Sequence, residues 1–597
     1  MLKFWLMLWM PFLAFSQVTI EKSDNTWQLL VDEEPFDIKG VTFGYDDDPA
    51  NFMTYFEDLK SIGVNTIRTW GTSPNTSLLL EAAERHNIKV LMGIWMRHGR
   101  PGMEADDSFD YLKEADGMEV MYNNAIDVVR RFKGHPAVLA WGVGNEVYLN
   151  TETDEEKLAY SKFLERVCKD IKGMDKRHPI LSVEAWTFGL DWWEQYVPSL
   201  DVYGLNVYGA GANLLQDELD KRQIDKPYVI TEFGVTGEWD IKTKEFGVTK
   251  EPSDVEKYNA IVEGYNNWIA PKPSCLGVYI FHYSDGNQFA APWLLTHVNG
   301  EKRPQYWAIR EAYTGKKPEK PLLNIELRLP KSGFDSGTWV PVELTVDKST
   351  DSIDEINFFY NHRAGSRRRR DAINKLNSRG DIENGFEIEL PKVDGGIKVY
   401  AYARDSNANL AISSDAINVI DEGERQRPFL VPKVDLPFYV YNDGNNIPYV
   451  PSAYMGNYEA MVVDVNHSDK VHSGTTALKI SYTSSKDWYG FALVDPANDW
   501  GDILGGYDIR GAKTFSFWAK GSYNGLKAQI GFGLIKKEKP FPDSAQILED
   551  IELTTQWKEY RIRVKREDLS CIRSGLVLFA AANGFSHDIY IDEVKFE

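Results

Sequence analysis

Apolar and polar positions alternate along the first half of this chain in two rhythms. Short, almost continuous apolar runs fall at 36–43, 66–70, 90–95, 138–143, 180–183, 202–207, 228–231 and 276–281. Each is too short for a helix and apolar on both faces, as expected of strands covered on both sides. Amphipathic stretches lie between them, at 52–62, 77–86, 120–132, 155–174 and 254–268. Within 155–174, Leu164, Val167 and Ile171 recur at three- and four-residue steps, which is one face of a helix. Eight strand signals interleaved with helices predict a (β/α)8 barrel, the TIM-barrel class, over 17–314. A doubly wound open sheet is the competing arrangement, and no Gly-rich phosphate turn follows the first run to support it.

Past residue 314 the rhythm changes. A charged, proline-containing linker at 315–321 precedes segments that alternate with period two, at 324–329, 340–346, 386–390 and 397–402. These predict half-buried strands of an immunoglobulin-like β-sandwich over 322–420. The basic run Arg367, Arg368, Arg369 and Arg370 inside it reads as a solvated hairpin tip in an acidic protein. A second linker at 421–435 leads to another all-β stretch over 436–597, with strand signals at 477–480, 514–518, 558–564 and 589–594.

Composition narrows the function. The net charge of −22 is a poor match to a polyanion and argues against nucleic acid as a partner. Aromatic residues make up 13% of the chain and include 18 Trp, whose flat apolar faces suit sugar rings. A basic start at Lys3, an apolar run over 4–15 and small residues at Ala14 and Ser16 predict a signal peptide over 1–16, cleaved before Gln17. The run is too short for a membrane span and no other candidate follows, so the expectation is a secreted protein, periplasmic or extracellular, without a membrane anchor. Cys168, Cys275 and Cys571 are too far apart in sequence for a disulfide framework, which favours free buried thiols.

In such a barrel, chemistry gathers where the strands end. The fourth run ends in Gly144-Asn145-Glu146 and the seventh in Thr231-Glu232-Phe233-Gly234, placing a carboxylate at the rim in each case. The second ends at Arg68-Thr69-Trp70, the sixth at Asn206-Val207-Tyr208 and the eighth at Phe281-His282-Tyr283. Two carboxyl groups facing across one mouth suit glycosidic bond cleavage: one protonates the departing oxygen while the other attacks, or lets water attack. Aromatic residues after the strands (Trp70, Trp95, Trp186, Trp192, Trp239 and Trp293) are candidate sugar platforms, with Trp239 and Trp293 favoured, and His98 and His282 stand at similar positions. No His/Cys/Asp spacing suggests a catalytic metal, so no cofactor is expected for catalysis.

These two motifs resemble the signature of the retaining glycoside hydrolases of clan A. The segments around Ile38–Thr42 and Asn65–Arg68 are similar to the barrel starts of family 2 glycosidases and of β-1,3-glucanosyltransferases. The resemblance implies Glu146 as acid/base, Glu232 as nucleophile and Asn145 as partner of the sugar 2-hydroxyl, with Arg68 and Tyr208 orienting the nucleophile. Arg68 would keep Glu232 ionised, while Glu146, with no cation in its own motif, would stay protonated for the arriving substrate. Family 2 enzymes carry sandwich domains before the barrel; here the β-rich stretches follow it. The stretch 436–597, with Trp518 and the closing 589–596, resembles a carbohydrate-binding jelly roll, implying glycan contacts at Trp488, Tyr489 and Trp500 and a structural calcium near Asp592. The implied function is a retaining β-glycoside hydrolase on a β-linked polysaccharide or oligosaccharide, first a β-glucan. A glucanosyltransferase and a non-catalytic glycan-binding protein are the alternatives.

Overall fold

The computed structural model describes residues 17–597 except 100–108, 152, 238–243, 250, 285–292, 297–299, 348–352, 362–373, 422–430, 445–446 and 537–538. The segment 1–16, Trp239 and the run from Arg367 to Arg370 lie outside the described residues.

The barrel strands are β1 (Ile38–Phe43), β2 (Thr66–Arg68), β3 (Lys89–Ile94), β4 (Val138–Asn145), β5 (Ile180–Ala185), β6 (Val202–Asn206), β7 (Tyr228–Phe233) and β8 (Cys275–Tyr283). Each pairs in parallel with the next, and β8 pairs with β1 to close the ring. Each of the eight apolar runs lies on one of these strands, because strands sealed between a filled interior and a coat of helices carry apolar side chains on both faces. The coat consists of α1 (Phe52–Ser61), α2 (Thr76–Arg85), α3 (Ala115–Phe132), α4 (Asp154–Met174), α5 (Leu190–Tyr196), α6 (Leu215–Lys221), α7 (Asp254–Glu263) and α8 (Pro304–Thr314). Leu59, Leu80, Val129, Leu164 and Ile309 of these helices join Val41, Ile67, Val90 and Ile230 of the strands in one core.

A small antiparallel sheet at 18–35 covers the amino-terminal end of the barrel, where Val18, Leu29 and Val31 pack on Leu91, Leu139, Leu181 and Val229. With that end sealed, the opposite end, where the strands finish, is left for a site.

After the barrel come two pairs of packed, mainly antiparallel sheets. The first pair holds four and five strands, with Leu327, Val340, Phe358, Ile388, Val399 and Ile417 between them. Its strand Gly395–Asp405 was expected to be half-buried, yet both its faces are covered. Lys398, Tyr400 and Tyr402, which alternation places on the outer side, point at the barrel. Lys398 Nζ meets Glu251 Oε1 at 2.9 Å, and the Ile412 N–H donates to Asp254 Oδ2 at 3.0 Å. Asp254 also receives Arg303 Nη2 at 2.6 Å and Lys257 Nζ at 3.2 Å. Burial opposes the Asp254 charge, but Arg303 and Lys257 outweigh it and hold the carboxyl below its ordinary value.

The second pair, five strands and a larger sheet, encloses Leu478, Phe491, Phe515, Phe517, Ile530 and Leu578. Lys113 Nζ of the barrel reaches Asp464 Oδ1 of this unit at 2.6 Å. The three cysteines are free. Among the described residues no helix is long and apolar enough to cross a membrane.

Candidate active site

Strand β4 delivers Glu146 through a sharp bend. Gly144 has φ +78° and Glu146 itself φ +52°, a left-handed conformation that costs a non-glycine residue roughly 1–2 kcal/mol. At Gly144 any Cβ would also stand 2.5 Å from the Tyr160 hydroxyl. The bend is held from outside: the Glu146 N–H donates to Val183 O of β5 at 2.9 Å, and Asn150 Nδ2 donates to Glu146 O at 2.8 Å.

Glu232, near the end of β7, is 6% exposed. Three donors converge on its two oxygens. Arg68 Nη1 reaches Oε1 at 2.9 Å, Trp70 Nε1 reaches the same oxygen at 3.1 Å, and Tyr208 OH reaches Oε2 at 2.8 Å. Arg68 is buried, and its Nη1 also donates to Thr231 O at 2.9 Å.

The two carboxyl groups are joined by one hydrogen-bonded path. Arg68 Nη2 donates to Asn145 Oδ1 at 2.7 Å; Asn206 Nδ2 donates to the same oxygen at 3.2 Å and to Glu146 Oε1 at 2.8 Å. Thr231 Oγ1 donates to Asn206 Oδ1 at 2.8 Å, which fixes which way that amide points. Both bonds to Asn145 land on its oxygen, so the Nδ2 hydrogens are the ones available to a sugar hydroxyl. Glu146, Glu232, Arg68, Asn145 and Tyr208 are thus brought into one cluster. Asn206 had been placed at a strand end in the sequence but given no task.

His282 lies beside this cluster, with Trp70 at 5.3 Å and Phe281 at 4.6 Å between ring centroids and Nδ1 3.0 Å from Thr42 Oγ1. Enclosure by protein pulls its pKa down to about 3, with the Arg68 charge acting in the same direction and the bond to Thr42 against it. The ring is therefore neutral at ordinary pH. It fits because residue 44 is glycine: a Cβ there would stand 2.6 Å from the ring.

The expectations for Trp293 and Asp592 need correction. Trp293 is not a sugar platform. It is 2% exposed, its indole N–H donates to Val235 O at 2.8 Å, and its ring backs Tyr208 at 5.2 Å. Trp70 serves as a donor to Glu232 as well as an aromatic surface. Asp592 is not built as a calcium ligand. Its buried carboxylate accepts the backbone N–H groups of His472, Ser473 and Glu593 at 2.8–3.1 Å, so donors, not a cation, meet its oxygens. Among the described residues no group of three or more His, Cys, Asp or Glu side chains is arranged to hold a metal.

Of the other aromatic residues, Trp95 and Trp186 are half-buried near the strand ends, His98 is buried, and Trp192 packs on Tyr148 beside the core. In the last unit Trp488 and Trp500 are exposed, whereas Tyr489 is buried with its hydroxyl 2.8 Å from His587 Nε2. One carboxylate escaped the sequence reading altogether. Glu184, on β5, is fully buried behind the Glu146 bend, and the apolar run that marked β5 ends one residue before it.

Residues 36–270 match the model of the glycosyl hydrolases family 2, TIM barrel domain. Among curated proteins, the beta-glucuronidase of Pongo abelii is 28% identical over 191 residues, 30% of this chain and 26% of that protein. The beta-glucuronidase of Chlorocebus aethiops is 24% identical over 301 residues, 46% of this chain and 42% of that protein. The chain thus spans less than half the length of these curated relatives. A crystal structure of a Bacteroides uniformis beta-glucuronidase aligns with 97% of this chain and 67% of its own, at 12% identity and a TM-score of 0.39. The match of 36–270 covers β1 to β7 and contains both glutamates, so the barrel of this chain is similar to the family 2 glycosyl hydrolase TIM barrel domain.

Proposed function

We propose that this chain is a retaining β-glycoside hydrolase in which Glu232 is the nucleophile and Glu146 the acid/base. The observation that carries this reading is the hydrogen-bonded path from Glu232 through Arg68, Asn145 and Asn206 to Glu146. Arg68, Trp70 and Tyr208 aim the Glu232 carboxylate and hold it against rotation. In the first step a Glu232 oxygen bonds to the anomeric carbon while the bond to the leaving oxygen breaks, and the Glu146 proton goes to that oxygen. In the second, the Glu146 carboxylate takes a proton from water, whose oxygen displaces Glu232 from the sugar. The amide hydrogens of Asn145 and the neutral His282 ring are the groups offered to sugar hydroxyls. No step needs a metal or cofactor.

A β-glucosyl unit is the first substrate proposed. Arg68, the buried cation at the floor of the mouth, is committed to Glu232, Asn145 and Thr231, and Arg97 stands 3.6 Å from Glu114. Among the described residues, then, both arginines near the strand ends already have partners. The names of the curated relatives favour a second reading, a β-glucuronide. Export rests on the apolar run at 4–15. The sheet pairs after the barrel are read as an immunoglobulin-like sandwich and a jelly roll, the latter offering Trp488 and Trp500 to glycan.

A panel of nitrophenyl β-glucoside, β-galactoside, β-mannoside and β-glucuronide ranks the sugars, followed by β-linked polysaccharides with chromatography of the products. Glu232→Gln is expected to abolish turnover. Glu146→Ala is expected to keep cleavage of substrates with good leaving groups and to give a β-glycosyl azide when azide is added. Wild-type turnover in Glu232→Gln, or an α-configured azide product, removes the mechanism.

A further inference from the structure

One carboxyl group beside the site has no part in the reaction just described. Glu184 is 0% exposed at the end of β5, and its side chain reaches the turn that follows Glu146. The Tyr148 N–H donates to Oε2 at 2.7 Å, and the Leu149 and Ala185 N–H groups donate to Oε1 at 3.3 and 2.8 Å. Strand β5 therefore grips the Glu146 bend twice, once through the Val183 carbonyl and once through this carboxyl group.

Aromatic side chains close in on it. Tyr148 comes from the turn, with its hydroxyl 2.9 Å from Ser161 Oγ; Tyr160 comes from α4 and Trp193 from α5. Glu146 is the charged group that acts on Glu184 from β4. Burial pushes the Glu184 carboxyl up to about 8, repulsion from Glu146 adds to that, and the three backbone donors offset only part. The charge on Glu146 thus helps to hold the proton on Glu184, which stays neutral up to about pH 8.

We propose that Glu184 is a positioning residue for the acid/base. It pins the left-handed bend that presents Glu146, so that the acid/base meets the leaving oxygen in one orientation. The inference rests on Glu146 being the acid/base.

Glu184→Gln tests it, since the amide keeps the shape of the side chain but offers one acceptor oxygen where the carboxyl group offers two, so one grip on the turn is lost. The readout is kcat/KM against pH for a phenyl β-glycoside, which needs a proton on its leaving group, and a 2,4-dinitrophenyl β-glycoside, which does not. The phenyl rate is expected to fall about tenfold across the pH range, with the dinitrophenyl rate and KM held within about threefold. Equal losses on both substrates, or no loss on either, overturn the proposal. Should the glutamine variant fail to fold, carboxyl carbon NMR of Glu184 in Glu146→Gln reads whether the two groups are neighbours. Its titration is expected to fall by about one unit, and an unchanged titration overturns the proposal. Glu146→Ala run in parallel keeps the two questions apart, because a variant that still cleaves the phenyl substrate at the wild-type rate removes the acid/base reading itself.

Discussion

Tyr208 and Gly44 show how much of this site depends on single atoms. The Tyr208 hydroxyl is one of three donors on Glu232, and a hydrogen bond to a charged group contributes about 1.5–3 kcal/mol. Tyr208→Phe is therefore expected to lower kcat/KM by about 10- to 100-fold with little change in melting temperature, measured on the preferred aryl glycoside. Gly44→Ala forces a Cβ to within 2.6 Å of the His282 ring, and the ring must move away from Thr42. Several of these positions were legible in the chain before any coordinates. Glu146, Glu232 and Arg68 end apolar runs, and a polar residue at the end of a buried strand stands out. Glu184 did not, because its side chain points into a helix-covered layer where nothing in the local pattern separates a working carboxyl group from a loop residue. Trp293 misled for the opposite reason: a tryptophan in a segment without periodicity looks exposed, but here its ring packs against Tyr208.

At the scale of elements, the seam between α7 and the strand Leu410–Ile420 carries the most charge in the least water. Asp254, at the start of α7, satisfies Arg303, Lys257 and the Ile412 N–H together. Removing one partner of a buried pair leaves the others uncompensated and costs about 3–5 kcal/mol. Asp254→Ala is expected to lose that much in chemical denaturation, with part recovered when Arg303→Met is added, since the orphaned cation goes with it. This seam was not legible in the sequence. The strand Gly395–Asp405 alternates as a half-exposed strand does, and Lys398, Tyr400 and Tyr402 look like surface residues until the barrel is set against them. The barrel strands gave the reverse case, where continuous apolar character pointed to two covered faces without knowledge of what covered them.

Across the whole molecule, proton linkage follows from Glu184. Its folded-state pKa is raised from 4.5 to about 8, so the folded form binds a proton that the unfolded chain releases. The corresponding stability is fully present below about 4.5 and is lost as pH rises through about 8, at no more than about 1.4 kcal/mol per pH unit. Melting curves across that window should fall with pH in the wild type and be flatter in Glu184→Gln. Truncation probes the same scale. A chain ending near residue 421 retains the Asp254 seam and is expected to stay folded and active on aryl glycosides. One ending near residue 316 uncovers Glu251, Asp254 and Lys257 and is expected to be insoluble.

The small sheet at 18–35 bears on how this protein can be shortened or permuted. It seats Val18, Leu29 and Val31 as a stopper in the far end of the barrel, so the stretch just after residue 17 behaves as part of the hydrophobic interior and not as a leader to it. A trimmed start beyond Val31 would pull that stopper and flood the floor on which the eight strands rest.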